Sequence, residues 1–296
     1  MFNSAALLTW FTAHRRPLLW RAPSTSAWGV LVSEVMSQQT PVARVEPQWE
    51  AWMRRWPTPQ DVAQASTADI LTAWDRLGYP RRALRLKECA QAITDRHHGE
   101  VPADLAALLD LPGIGDYTAR AVLAFHYRRR VPVVDTNVRR VISRAVHGRY
   151  LPRPARKKDL ADVEALLPAG TDAAAEERAA ELSTAIMELG ALVCTASSPR
   201  CAECPLLNSC RWQLAGCPEP SAAELEASKK RVQKFQGTDR QVRGKIMALA
   251  RAHKQVERAE IDAVWEDKAQ LARALFSLLD DGLLEAVADD RFALPR

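Results

Sequence analysis

Long hydrophobic runs are missing from this chain. No stretch of about 18 apolar residues occurs, the length a membrane-spanning helix needs, so no span is expected. The N-terminal MFNSAALLTWFTAHRRP puts its basic residues after its apolar ones, the reverse of a secretory signal. It reads as an amphipathic helix of a cytoplasmic protein. Charge of one sign is also lacking: 41 Lys plus Arg stand against 36 Asp plus Glu, with a pI near 9.0. Such mild basicity permits a nucleic-acid partner without requiring one. Cysteine is scarce, six in 296 residues, and in a cytosolic chain that argues against a disulfide framework. No internal repeat is present.

What is there centres on residues 108–137. An apolar helix over Leu105–Leu109 runs into Leu111-Pro112-Gly113-Ile114-Gly115, and a second helix follows over 116–127. Pro112 has no N–H to donate and stops the first helix. Gly113 and Gly115 permit positive φ and close backbone approach. The free N–H groups of the next helix suit an anion such as a DNA phosphate. Alone, the run reads equally as a tight αα turn. A strand-like piece, Val131 to Val134, then delivers Asp135. This residue is a good N-cap for a helix over 136–147, and a capped carboxylate stays ionised beside the helix N-terminus.

Two further stretches carry chemistry. The apolar helix WGVLVSEVM holds one carboxylate, Glu34, and burial without a cationic partner would raise its pKa and make it a proton donor near neutrality. Cys194, Cys201, Cys204 and Cys210 follow a C-x6-C-x2-C-x5-C spacing that implies metal, zinc or iron–sulfur. Cys89 and Cys217 lie outside it. Arg128, Arg129, Arg130, Arg139, Arg140, Arg144, Arg149, Arg153, Arg156, Lys157 and Lys158 crowd around Asp135 in sequence, and several are expected to meet phosphate.

Other helices are expected at 4–14, 41–54, 67–76, 80–97, 159–167 and 173–190, with breaks at Pro57, Pro59 and Gly78-Tyr79-Pro80. Residues 218–237 read as a linker. Beyond it, helices at 239–252, 258–264 and 267–280 precede strands at 283–288 and 291–294, a winged-helix-like pattern over 238–296. Its Arg240, Arg243, Lys245 and Arg251 are expected to add affinity for DNA.

Hairpin, helix and aspartate in this order resemble the signature of base-excision DNA glycosylases. Across about residues 5–215 the chain resembles the MutY-type A/G-specific adenine glycosylases. The resemblance implies a mainly α, two-lobed helix-hairpin-helix core with a [4Fe–4S] cluster on the four cysteines, plus the small α+β domain. One lobe would comprise 1–23 and 136–217, the other 24–135. Ser33 to Thr40 is similar to the family's SEVMLQQT, whose Glu is the catalytic acid, here Glu34. Asp135 with Asn137 would stabilise the oxocarbenium-like sugar. Trp20, Arg21 and Tyr117 would line the base pocket. Gln39, Thr40 and Tyr79 would probe the gap, Tyr79 as a wedge in the base stack, and Gly113 and Gly115 would hold phosphate. Endonuclease III-like relatives carry at position 117 a lysine that cleaves the strand; this chain has Tyr117. Ser37, Thr136 and Thr184 depart from the family, which usually has Leu, Gly, and Gln or Glu there.

The implied partner is duplex DNA containing A:G or A:8-oxoguanine mispairs, bound by a monomer without a membrane. The long C-terminal domain that reads 8-oxoguanine in other members is not expected here. Two other readings stand beside this one, a thymine or uracil mismatch glycosylase and a non-catalytic iron–sulfur DNA-binding regulator.

Overall fold

The computed structural model describes residues 2–228 and 235–296. Helices dominate. In chain order they are α1 (Ser4–His14), α2 (Ala27–Ser37), α3 (Val42–Arg55), α4 (Pro59–Gln64), α5 (Thr67–Trp74), α6 (Arg81–Arg96), α7 (Leu105–Leu109), α8 (Asp116–Phe125), α9 (Thr136–Ala145), α10 (Lys158–Glu164), α11 (Ala173–Leu192), α12 (Arg211–Leu214), α13 (Ala222–Ser228), α14 (Asp239–Ala252), α15 (Arg258–Ala263) and α16 (Lys268–Asp280). The strands β1 (Val256–Glu257), β2 (Glu285–Ala288) and β3 (Arg291–Ala293) form one antiparallel sheet in the order β1-β3-β2. Among the described residues no helix is long and apolar enough to cross a membrane.

Contacts divide the chain into two units. The first comprises Met1–Val30, Ala103–Leu109 and Gly115–Lys230; the second comprises Leu31–Pro102, Asp110–Ile114 and Arg231–Arg296. Residues 24–30, 103–109 and 115–135 thus group with the cysteine-bearing helices, whereas the resemblance implied one lobe over 24–135. Of the linker expected over 218–237, residues 222–228 are helical and 229–234 lie outside the described residues.

The first unit is built on α11. Its Leu182, Ile186, Leu189 and Val193 recur at helical spacing and are buried against Leu7 and Phe11 of α1 and Val138, Val141 and Ile142 of α9. The same helix buries a carboxylate: Glu188 is 0 % exposed. Arg16 grips it through its backbone N–H (2.8 Å), Nε (2.9 Å) and Nη2 (2.8 Å), and Arg21 adds Nη2 at 2.9 Å. Burial raises the Glu188 pKa, but these charge-assisted donors outweigh it and bring it down to about 2.

The second unit holds an aromatic core. Trp52 meets Trp56 and Trp74 edge-on, with ring centroids 4.7 and 5.9 Å apart, a favoured arrangement for aromatic quadrupoles. The proline pair read as a break contains α4. Thr58 forms a capping box with Asp61, and Pro59 occupies the first turn, where its missing N–H removes no bond. The C-terminal sheet gains β1, whose Val256 pairs with Phe292. Val131 to Val134 is not a strand in the structure; Val133 is buried against Ala121 and Ala124 of α8, and Val134 packs against the α11 core, rather than a second extended segment.

The basic residues are more engaged than the sequence suggests. Arg128 pairs with Glu177, Arg129 with Glu176, Arg130 with Glu164 and Arg139 with Asp159. In the C-terminal domain Arg243 bonds Ser277 and Asp281, Lys245 stacks on Trp265, Arg251 faces Asp75 and Arg240 bonds Tyr79. Each of these residues thus has a protein partner in the structure. Arg153, Arg156, Lys157 and Lys158 remain exposed.

Glu188→Ala would leave two guanidinium groups without their shared anion, and the expected loss is about 3 kcal/mol at pH 7, read by chemical denaturation. Because the folded pKa is depressed, this contribution is present above the ordinary value of 4.5 and disappears as pH falls towards about 2. The gap between wild type and variant should narrow over that window.

Candidate active site and cluster loop

Asp135 sits at the N-cap of α9 in extended backbone (φ −104°, ψ −171°). Its Oδ1 accepts from the Val138 N–H at 2.7 Å, and its Oδ2 accepts from Asn137 Nδ2 at 2.8 Å. Cap and oriented anion are thus one arrangement. Burial lifts the Asp135 pKa above the usual carboxylate value, while the Val138 and Asn137 bonds and the charge of Arg140 oppose the rise. Sequence reasoning weighed the cap and the fixed anion but missed this desolvation. Thr136 begins α9 without positive φ, so this backbone does not require the family's glycine. Tyr117, on the first turn of α8, packs against the Ala121, Ala124 and Val133 cluster. Thr184 is buried and donates to the Ala180 carbonyl of its own helix at 2.9 Å. Trp20 is buried. Arg21, expected in the base pocket, spends its Nη2 on Glu188.

From Asp135 a hydrogen-bonded chain leads to the cysteines. Arg140 Nη2 donates to Asn137 Oδ1 (2.7 Å) and to the Gly190 carbonyl (2.6 Å), and its Nε donates to the Cys194 carbonyl (2.6 Å). Helix α11 comes this close to α9 because residue 190 has no side chain: a Cβ there would lie 2.7 Å from Asn137 Cβ. Arg144 is 2 % exposed. It donates to the carbonyls of Tyr150 (3.1 Å), Thr195 (2.7 Å) and Ala196 (3.0 Å), and lies 3.4 Å from Cys194 Sγ.

Cys194, Cys201 and Cys204 pack against the α11 core, and Cys210 is buried within it. Burial first, then their mutual repulsion, raises the thiols of Cys201, Cys204 and Cys210. Backbone N–H groups aim at the sulfurs, from Leu206 to Cys204 and from Gln213 and Trp212 to Cys210. Four clustered sulfurs with inward donors fit a thiolate-held iron–sulfur group.

In the second unit, Glu34 lies on α2 and is 9 % exposed. Gln39 and Tyr79 occupy left-handed backbone, with φ of 56° and 48°, and both are exposed, Tyr79 by 45 %. The residue that ties their two loops together is Arg82, which sequence reasoning missed. Its Nη1 donates to the carbonyls of Val35 (2.7 Å), Met36 (3.2 Å) and Gln38 (2.8 Å). Its Nη2 donates to Thr40 Oγ1 (3.2 Å) and to the carbonyls of Leu77 (3.0 Å) and Gly78 (3.0 Å). Burial pulls its pKa down to about 10. Thr40, expected at the DNA gap, is buried and also donates to the Leu77 carbonyl. In the hairpin, Gly113 has φ +76°, and a Cβ on it would lie 2.9 Å from Arg85 Cβ. Gly115 is extended (φ −97°) and caps α8, so the fold uses positive φ at only one of the two glycines.

Two outcomes are expected. Purified protein should be straw-brown, absorb near about 400 nm and carry about four irons, and Cys204→Ser should lower soluble yield and bleach the colour; a colourless, folded protein with one zinc would refute the assignment. Arg82→Lys keeps the charge but not the planar fork; it should cost about 2 kcal/mol in stability and loosen both loops in hydrogen exchange.

The comparisons agree with this geometry. Residues 32–159 match the HhH-GPD superfamily of base excision DNA repair proteins, and residues 194–210 match the iron–sulfur binding domain of endonuclease III. The cofactor is a [4Fe–4S] cluster. An adenine DNA glycosylase of Mycolicibacterium smegmatis is 55 % identical over 290 residues, covering 97 % of this chain and 94 % of the relative. One of Mycobacterium tuberculosis is 54 % identical over 292 residues, covering 98 % and 92 %. Among solved structures, a thermostable thymine-DNA glycosylase aligns with TM-score 0.64 at 26 % identity, over 72 % of this chain and 95 % of its own. An endonuclease III in a non-covalent DNA complex shares the fold, with TM-score 0.61 at 23 % identity over 72 % and 94 %. With the capped Asp135, the hairpin and the cysteine loop in place, this chain belongs to the adenine DNA glycosylase family of the HhH-GPD superfamily.

Proposed function

We propose that the chain is a monofunctional DNA glycosylase that hydrolyses the N-glycosidic bond of adenine opposite guanine or 8-oxoguanine in duplex DNA. The observation that carries this reading is Asp135, a half-buried carboxylate whose two oxygens are fixed by Val138 and Asn137. A fixed anion of this kind stabilises positive charge developing on a deoxyribose. The adenine is flipped from the stack, which is least costly at a mispair. Glu34 donates its proton to the purine, and the base departs with the electron pair of the bond to C1′. Asp135 stabilises the oxocarbenium-like sugar until water adds to C1′ and releases a proton. Position 117 holds a tyrosine, so no amine there forms a Schiff base and the strand stays intact.

Trp20, Arg21 and Tyr117 belong to the base pocket in this reading. Gln39 and Tyr79 serve the opposite strand, Thr40 ties their two loops together from beneath, and Gly113 and Gly115 serve phosphate. The cluster holds the loop that Arg140 and Arg144 brace. The enzyme acts as a monomer in the cytoplasm, on the nucleoid. The family identity and the QQT context of Glu34 favour adenine over thymine or uracil.

The test presents duplexes with A, T or U opposite G or 8-oxoguanine, followed by alkali. Adenine should be removed opposite both partners, strand breaks should appear only after alkali, and borohydride should trap little enzyme on DNA. Glu34→Gln should abolish excision and keep binding. Asp135→Asn should also abolish excision, yet hold stability within about 1 kcal/mol, because an asparagine still caps. Since burial raises the Asp135 pKa, the excision rate should fall with acidification before pH reaches the ordinary carboxylate range. Release of thymine or uracil instead of adenine would overturn the reading.

A further inference from the structure

The turn that carries Tyr79 is held by the C-terminal domain at three points. Arg251 Nε lies 4.0 Å from Asp75 Oδ1, and Asp281 Oδ1 lies 3.2 Å from Arg81 Nη1. Between them, Arg240 Nη1 donates to Tyr79 Oη at 2.8 Å. The Tyr79 ring thus has two guanidinium groups beside it, with Cζ of Arg82 5.7 Å and Cζ of Arg240 5.9 Å from its centroid. Arg82 fixes the backbone of the turn through the Leu77 and Gly78 carbonyls; Arg240 holds the far end of the side chain. Gly78 and Tyr79 are both left-handed, with φ of +76° and +48°. This conformation is unfavourable for a bulky residue and persists only where the surroundings enforce it. A half-exposed aromatic on such a turn would otherwise choose among rotamers.

We propose that Arg240 is a positioning residue for Tyr79, and that the small C-terminal domain tunes mispair recognition by aiming this ring rather than by touching the lesion. The inference rests on the glycosylase reading above, because Tyr79 has a base stack to enter only in duplex DNA. A ring held at its hydroxyl enters the stack with less loss of rotamer freedom. A direct phosphate contact by Arg240 would act otherwise, strengthening paired and mispaired duplexes alike and adding about one charge to the salt dependence.

The experiment is a double-mutant cycle on the full-length holoenzyme with Arg240→Ala, Tyr79→Phe and the pair. Dissociation constants are measured across salt for an A:G duplex carrying 2-aminopurine beside the mispair and for its fully paired counterpart. Each single variant should lower the mispaired-over-paired affinity ratio about threefold. The double variant should lower it by the same factor, with an unchanged salt slope and a smaller 2-aminopurine response. Arg273→Ala, which breaks the exposed Arg273–Asp239 pair in the same domain, should change none of these. Additive losses, or a fall of about one in the salt slope with equal weakening of both duplexes, would overturn the proposal. If Arg240→Ala fails to fold, Tyr79→Phe decides alone, because wild-type discrimination by a protein lacking Oη also refutes it. Excision by wild type is followed on the same duplexes. Coupled binding without excision strikes the glycosylase reading; excision with additive binding strikes this proposal alone.

Discussion

Buried and half-buried guanidinium groups facing main-chain carbonyls are the interaction on which this molecule depends. Arg82 joins the C-terminal end of α2 to the turn after α5. Arg140 joins α9 to the end of α11, and Arg144 joins α9 to the residues after Cys194. Each bridges segments that no regular secondary structure connects. Taking a charge out of water is costly unless it gains hydrogen bonds, and a planar guanidinium fork can meet several carbonyls at once, as Arg82 does through Nη1 and Nη2. Loops that must carry chemistry while lacking a ladder of their own are fixed in this way.

The consequence for the aspartate is direct. Its cap is local, but Asn137, which completes it, is held by Arg140, and Arg140 is held by carbonyls of Gly190 and Cys194. The carboxylate is therefore oriented by residues more than fifty positions away in sequence. Glu188 lies two residues before Gly190 on the same helix and anchors Arg16 and Arg21. One helix, α11, thus fixes an N-terminal segment and the approach to Asp135 together.

Features that depend on local chemistry were legible in the sequence. Pro112 and the glycine after it announced the hairpin, the aspartate announced its cap, and the spacing of four thiols announced the metal loop. Features that depend on a distant partner were not. A count of arginines cannot tell a phosphate ligand from a residue such as Arg144, whose partners are carbonyls some fifty residues on. Pro59 is a local exception: it read as a break because the same lack of an N–H both ends helices and starts them, although the Thr58–Asp61 box that decides which spans only three residues. β1 is two residues long, too short for alternation to register. The pull of burial on Asp135 was equally hidden, since desolvation belongs to the packed molecule.

Helix α6 has a further significance as a gauge. Arg82, near its start, grips the turn bearing Tyr79, and one turn later Arg85 lies under Gly113 of the hairpin. The two attachments are three residues apart, a rise of about 4.5 Å. The separation between the Gly113 hairpin and the Tyr79 turn is thereby set by the pitch of a single rigid element, independent of loop length on either side. Inserting one residue between 82 and 85 would turn one attachment by about 100° against the other. Both turns would remain intact and correctly folded, yet they would no longer face the same side of the molecule.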